Sequence, residues 1–273
     1  MSPTTYDTWL VALREDNESL PSVEEQQAFL NFLNQRTTAE EAALAYTHVV
    51  TNAKYQDPDT LWLLLWQTAE EWPETYQRLV DLLKAIARLP PITRKTNAGE
   101  VSMLEYWNAL PEFEFGLREY WDGKATRVLF ATDPSVHANF INLTSFNACL
   151  YSEGVFQLER WAIMTLSAAL EQDYESQSHL LDTFTPAAAQ YILQTGQSVY
   201  TNVKDAGVYT NVKDVIFPGP LLQKAREKGN IERWAFWKEN FASVQDQEDL
   251  KESTRAIAKQ VVERMGKIEK HSH

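Results

Sequence analysis

Aromatic rings set among a few polar groups are what this sequence offers for chemistry. Glu159-Arg160-Trp161 and Glu232-Arg233-Trp234 are the same tripeptide on two different segments. Trp237 follows Trp234 by three residues, so on a helix both share one face. Tyr120-Trp121 is another ring pair, and Asn142 lies one helical turn from Phe146. Tyr120, Trp121, Asn142, Phe146, Arg160, Trp161, Trp234 and Trp237 are therefore the candidates for lining an apolar substrate. Rings of this kind can hold a greasy molecule in one conformer, and orientation alone removes several kcal/mol from a barrier. Arg233 is placed to stabilise charge developing on a carbonyl or polyene. His137 and Glu159 are the candidate proton donors or acceptors, since an imidazole titrates near neutrality and a carboxylate is a general base. Such chemistry needs no cofactor and no metal.

The same residues have a structural use. Aromatic side chains bury large areas and dominate helical cores. A buried guanidinium needs partners, so Arg160 and Arg233 can equally tie helices together, pairing with Glu119 or Glu159.

Other chemistries lack their residues. No glycine-rich phosphate loop, GxSxG elbow or HExxH helix occurs. Glu175 and His179 stand one turn apart and read as a surface pair, and His48 reads as a helix-face residue. Asp57-Pro58-Asp59 reads as a helix cap. The lone Cys149 excludes an internal disulfide. The formal charge of 25 − 38 = −13 disfavours nucleic acid, because phosphate binding needs clustered Lys and Arg. The longest apolar run, Leu61–Trp66, is far short of the roughly 20 residues that span a bilayer. The start of the chain does not read as a signal peptide, so the sequons at Asn17 and Asn142 count as chance triplets and the expected location is the cytoplasm.

The elements that must position the candidates read as helices. Glycine is scarce, at 9 of 273 residues, and apolar residues recur at helical spacing nearly throughout. Ser22 with Glu25, Thr38 with Glu41, and Ser102 with Glu105 form capping-box patterns. Thr185-Pro186 places proline at a first helical position. The spacing predicts helices near 5–16, 22–36, 38–54, 59–71, 73–89, 102–110, 112–122, 134–152, 155–172, 176–183, 186–200, 221–228, 231–242 and 247–268. The best strand candidate, 127–131, is short and isolated. The expected fold is all-α, a multi-helix orthogonal bundle without a significant sheet. Pro90-Pro91 and the polar residues up to Glu100 read as a loop between an N-terminal helical layer, 1–90, and a main body, 91–273, packed together as one unit. Val199–Asp205 recurs as Val208–Asp214, which reads as a duplicated loop segment or as a lid over a pocket.

Glu119-Tyr120-Trp121, the stretch Phe140–Leu150, Ala162–Glu171, Ala187–Ile192, Pro218-Gly219-Pro220-Leu221 and Glu232-Arg233-Trp234-Ala235-Phe236-Trp237-Lys238 occur in an order that resembles the fungal domain of unknown function 3632 family. The resemblance spans roughly residues 40–265, and Glu-Arg-Trp-x-Phe-Trp-Lys is its most specific piece. It implies an intracellular fungal protein with an α-helical body, from a family some of whose members lie beside genes of specialised metabolism. It carries over no catalytic residue. Leu221-Leu222-Gln223 stands where the family leads one to expect another tryptophan, and the repeated segment looks like an insertion.

Two functions follow as expectations. The first is a cofactor-independent, pericyclase-like cyclase or isomerase acting on an apolar metabolite of specialised metabolism. The second is a non-catalytic helical interaction module, whose acidic exterior favours a basic partner. The narrow apolar stripe of Leu250, Ala256-Ile257, Val261 and Met265 then docks on its own body or on a second copy, giving a homodimer.

Overall fold

The computed structural model describes residues 5–16, 19–53, 57–95, 101–174, 177–205, 217–229 and 231–271. Its helices are α1 (Tyr6–Asp16), α2 (Val23–Leu33), α3 (Ala39–Tyr46), α4 (His48–Asn52), α5 (Asp59–Glu71), α6 (Tyr76–Ile86), α7 (Phe113–Val128), α8 (Pro134–Ser152), α9 (Glu159–Leu170), α10 (Leu181–Asp205), α11 (Pro220–Lys228), α12 (Arg233–Gln245) and α13 (Glu252–His271). The fold is all-α. Its strands among the described residues are the four-residue β1 (Ile92–Lys95) and β2 (Val101–Leu104), an antiparallel hairpin with Ile92 opposite Leu104.

Two of the three capping boxes form. Ser22 accepts from the Glu25 N–H while Glu25 accepts from the Ser22 N–H, and Thr38 and Glu41 do the same. The Asp57 carboxylate accepts the Asp59 N–H at 3.1 Å ahead of α5. Ser102 and Glu105 do not start a helix: Ser102 lies in β2, and only Trp107–Ala109 winds into a 3-10 turn. The candidate strand at 127–131 is instead the last turn of α7 and the turn after it, with Phe130 83 % exposed. α10 begins at Leu181, so Pro186 falls inside it, and the helix bends at Thr195, whose φ of −128° is not helical. The first copy of the repeated segment forms the end of α10; the second, 208–214, lies outside the described residues, as does Glu175.

By its internal contacts the chain forms two compact units, Met1–Asp122 and Gly123–His273, parting within α7, whereas the sequence places its layer boundary at 90 and 91. In the first unit α3 packs on α2 and α6. Phe29 stacks on Tyr46 at 5.0 Å, and the Tyr46 hydroxyl donates to the Leu61 carbonyl at 2.6 Å. Trp62 is wholly buried, edge-on to Trp107 and Phe113, and its indole N–H donates to the Pro111 carbonyl at 2.8 Å. In the second unit α10 is the central helix, covered by α8, α9 and α13, while α12 lies against α13 and α9. Ala187, Ala188, Ala189 and Tyr191 of α10 are fully buried, and small side chains there let three helices approach one. No helix among the described residues is long and apolar enough to cross a membrane.

Candidate functional site

α9 carries an apolar face that ends abruptly in a charge, Glu171, whose side chain is wholly inaccessible to solvent. A carboxylate stripped of water costs several kcal/mol unless it is paired and hydrogen-bonded. Here several donors meet it. Ser167, one turn back on α9, donates its hydroxyl to Oε2 at 2.8 Å, and the Gly219 N–H reaches the same oxygen at 2.6 Å. Arg233 supplies Nε to Oε1 at 2.6 Å and Nη2 to Oε2 at 3.0 Å, and the Trp237 indole N–H donates to Oε1 at 2.7 Å. Burial pushes the Glu171 carboxyl up, but Arg233, the Gly219 N–H and Ser167 outweigh it and hold the group below the ordinary glutamate value.

The surrounding backbone is shaped to this carboxylate. A Cβ on Gly219 would stand 2.6 Å from the Glu171 Cβ and 2.7 Å from its carbonyl oxygen, so only glycine permits the approach. The Leu221 N–H donates to that carbonyl at 3.0 Å and satisfies it as α11 begins. The Arg233 guanidinium also donates to the Phe217 carbonyl at 3.3 Å and lies 5.5 Å from the centre of the Trp237 ring. Beside it, the Trp234 indole N–H donates to Glu269 of α13 at 3.0 Å, Lys238 pairs with the same carboxylate at 2.5 Å, and the Trp234 ring meets Tyr200 edge-on at 4.9 Å. Arg233, Trp234 and Trp237 thus brace α12 against α9, α10, α13 and the 217–220 segment.

The two acid/base candidates stand apart. The His137 Nε2 faces the Ala131 carbonyl at 3.1 Å and Nδ1 faces the Thr183 hydroxyl at 2.8 Å. A carbonyl only accepts, so Nε2 donates to Ala131, and Nδ1 shares a hydrogen bond with the Thr183 hydroxyl. Both ring nitrogens are engaged. Glu159 hydrogen-bonds the Tyr151 phenol at the far end of α8, and burial together with the Glu159 charge pushes that phenol up to about 12. His137 and Tyr151 are 14 residues apart on one helix, about 21 Å at 1.5 Å per residue. One small substrate does not span that distance.

The remaining candidates divide between the units. Phe146 and Trp161 are buried in the second unit, Asn142 is half-buried on α8, and Arg160 is exposed. Tyr120 and Trp121 belong to the first unit. The Tyr120 hydroxyl donates to Glu70 at 3.1 Å, its ring lies 5.5 Å from that of Trp66, and burial and the Glu70 charge raise its pKa. The structure therefore gathers Arg233, Trp234 and Trp237, and holds His137 and Glu159 elsewhere.

The first unit carries surface recesses. A groove of about 530 Å³ between α2 and α3 is lined by Val23, Glu24, Gln27, Ala28, Asn31 and Glu41, with Thr37, Ala42 and Ala45 closing it. Another, of about 110 Å³, runs from Leu44 and His48 to Pro90 and Trp107. None of the sequence candidates lines either. Sequence reasoning missed both Glu171, whose signal is a lone acid closing the apolar run Ala168-Ala169-Leu170, and the α2–α3 groove, whose signal is alanine at 28, 42 and 45 beside paired glutamates.

Against known proteins, residues 62–241 match the sequence model of a family described as a protein of unknown function (DUF3632). No curated protein and no solved structure matches the chain. The family match covers most of the chain and includes Glu171, Gly219, Arg233 and Trp237, so the chain belongs to the DUF3632 family.

Proposed function

We propose that this protein is a non-catalytic helical interaction module. One observation carries the reading: the residues that looked most able to do chemistry already have structural partners. The indole N–H groups of Trp234 and Trp237 donate to Glu269 and Glu171, and Arg233 commits two of its donors to a carboxylate with no solvent access. A cyclase or isomerase asks those donors to face a substrate and His137 and Glu159 to share it. The open groove between α2 and α3 is the kind of surface a module uses, with alanines in its lining and a charged rim.

The test is affinity purification of the tagged full chain from its native cells, followed by native mass spectrometry. The module reading expects a stoichiometric protein complex that is lost on Ala45→Arg in the groove and kept on Arg160→Ala at an exposed position. Conversion of a metabolite in the same extract, abolished by Trp161→Phe and unaccompanied by a protein partner, overturns it.

A further inference from the structure

The α2–α3 groove has a shape and a charge that select among partners, and the inference drawn from them rests on the module reading. On α2 the lining residues are Val23, Glu24, Gln27, Ala28 and Asn31, a single stripe. Eight residues separate its ends, about 12 Å of helix. On α3, Glu41, Ala42 and Ala45 form the facing stripe. The recess is thus bounded by two helices joined by a short turn, and the small side chains of Ala28, Ala42 and Ala45 in its lining let a third helix come close. Helix axes pack roughly 8–10 Å apart, nearer where side chains are small. Val23, 69 % exposed, offers an apolar contact at one end of the groove.

The charge around this surface is predominantly acidic. Between Ser22 and Ala53 the sequence holds four glutamates, at 24, 25, 40 and 41, and one cationic residue, Arg36. Glu24 and Glu41 stand on the groove itself. Glu24 lies 4.0 Å from His48, and both side chains are mostly exposed. A rim of this kind attracts a cationic partner and speeds its encounter. A second copy of the chain carries the same −13 and is repelled.

We infer that the α2–α3 groove binds an amphipathic α-helix of a basic partner, with small or aliphatic residues laid against the lining alanines and Lys or Arg flanking them against Glu24 and Glu41. Helix-in-groove recognition reads anchors at i, i+3 or i+4 and i+7, which fits a recess about two turns long. The charged pairs lie at the rim, so they govern association rate and salt dependence, and the apolar stripe supplies the specificity.

The test is fluorescence anisotropy of the full-length protein with three labelled peptides of about 18 residues, long enough to fold as helices on binding. One is helical with a Leu/Ala stripe flanked by Lys; one keeps the stripe with Glu in place of Lys; one keeps the Lys composition but scrambles the stripe. The expected result is saturable binding of the first peptide, at least about tenfold tighter than either control and weakened several-fold between about 50 and 500 mM salt. Glu24→Lys with Glu41→Gln, which keeps the capping box through glutamine, should weaken binding at least about tenfold, and Ala45→Arg should abolish it while far-UV circular dichroism stays unchanged. Equal binding of the scrambled peptide, or binding indifferent to these variants, overturns the inference, since either shows mere attraction to an acidic protein. Absence of binding by the basic peptide also overturns it. If the native complex is still lost on Ala45→Arg, the module reading then stands with a partner of other chemistry.

Discussion

Replacing Arg233 by alanine is the sharpest perturbation the second unit admits. It removes two charge-assisted bonds to a carboxylate with no solvent access and leaves Glu171 with Ser167, the Gly219 N–H and Trp237 as its remaining donors. Stripping one partner from a buried pair costs about 3–5 kcal/mol, because the other charge stays behind uncompensated. For a folding unit near 150 residues each kcal/mol lowers the melting temperature by roughly 2–4 °C, so Arg233→Ala should melt roughly 6–20 °C earlier. Tryptophan fluorescence is the assay, since Trp234 and Trp237 flank the lost side chain and report that transition. The double variant Glu171→Leu with Arg233→Met should recover part of the loss, because it removes the stranded charge along with its partner. If Arg233→Ala stays within about 0.5 kcal/mol of the parent, a range typical of harmless surface changes, Arg233 is not part of a brace and the reasoning fails.

Three further outcomes follow from the same geometry. Glu171 has a depressed pKa in the folded chain, so between that value and its ordinary value of 4.5 the unfolded state binds more protons; the stabilisation is present above pH 4.5 and lost as pH falls through the folded value, and urea midpoints measured from about pH 6 down to 3 should drop in the parent and stay flatter in Glu171→Gln. Gly219→Ala forces a Cβ to within 2.7 Å of a backbone oxygen and should destabilise by about 1–3 kcal/mol, whereas Gly196→Ala meets side chains alone, the tip of Ile268 at 2.7 Å and Ile192 at 3.5 Å, and should cost less; equal melting temperatures would refute the close-approach argument. The Tyr151 phenol, held up to about 12 by burial and Glu159, should remain protonated at about pH 11, and Glu159→Gln should bring its absorbance transition to lower pH; an unchanged titration would dissolve that pairing.

The helices were legible because their signals are local. Ser22-to-Glu25 and Thr38-to-Glu41 each sit directly before an apolar periodic run, and both close as capping boxes. Ser102-to-Glu105 has the same spacing, but Pro111 follows within one turn of Asn108, no long helix can propagate, and β2 pairs with β1 instead. The apolar run Val128-Leu129-Phe130 misleads in the opposite way: it suggests a strand, yet Val128 ends α7 and Phe130 stands in water. Of the candidate site, a shared helix face for Trp234 and Trp237 was readable from their three-residue spacing. Their common brace was not, because Glu171 lies 62 residues away from Arg233 and only the folded chain brings α9, α12 and Gly219 to one point. The groove was hidden for a related reason: it belongs to neither α2 nor α3 alone.

Exchange of the Trp237 indole N–H, followed by NMR on protein labelled with ¹⁵N-tryptophan, tests the central claim that these rings fill a braced core. That proton donates to a carboxylate with no access to solvent, so it should exchange only when the second unit opens, with protection comparable to that of the buried amides of α10. Exchange as fast as that of a solvent-lined indole would contradict the account and return Trp237 to the wall of an open site.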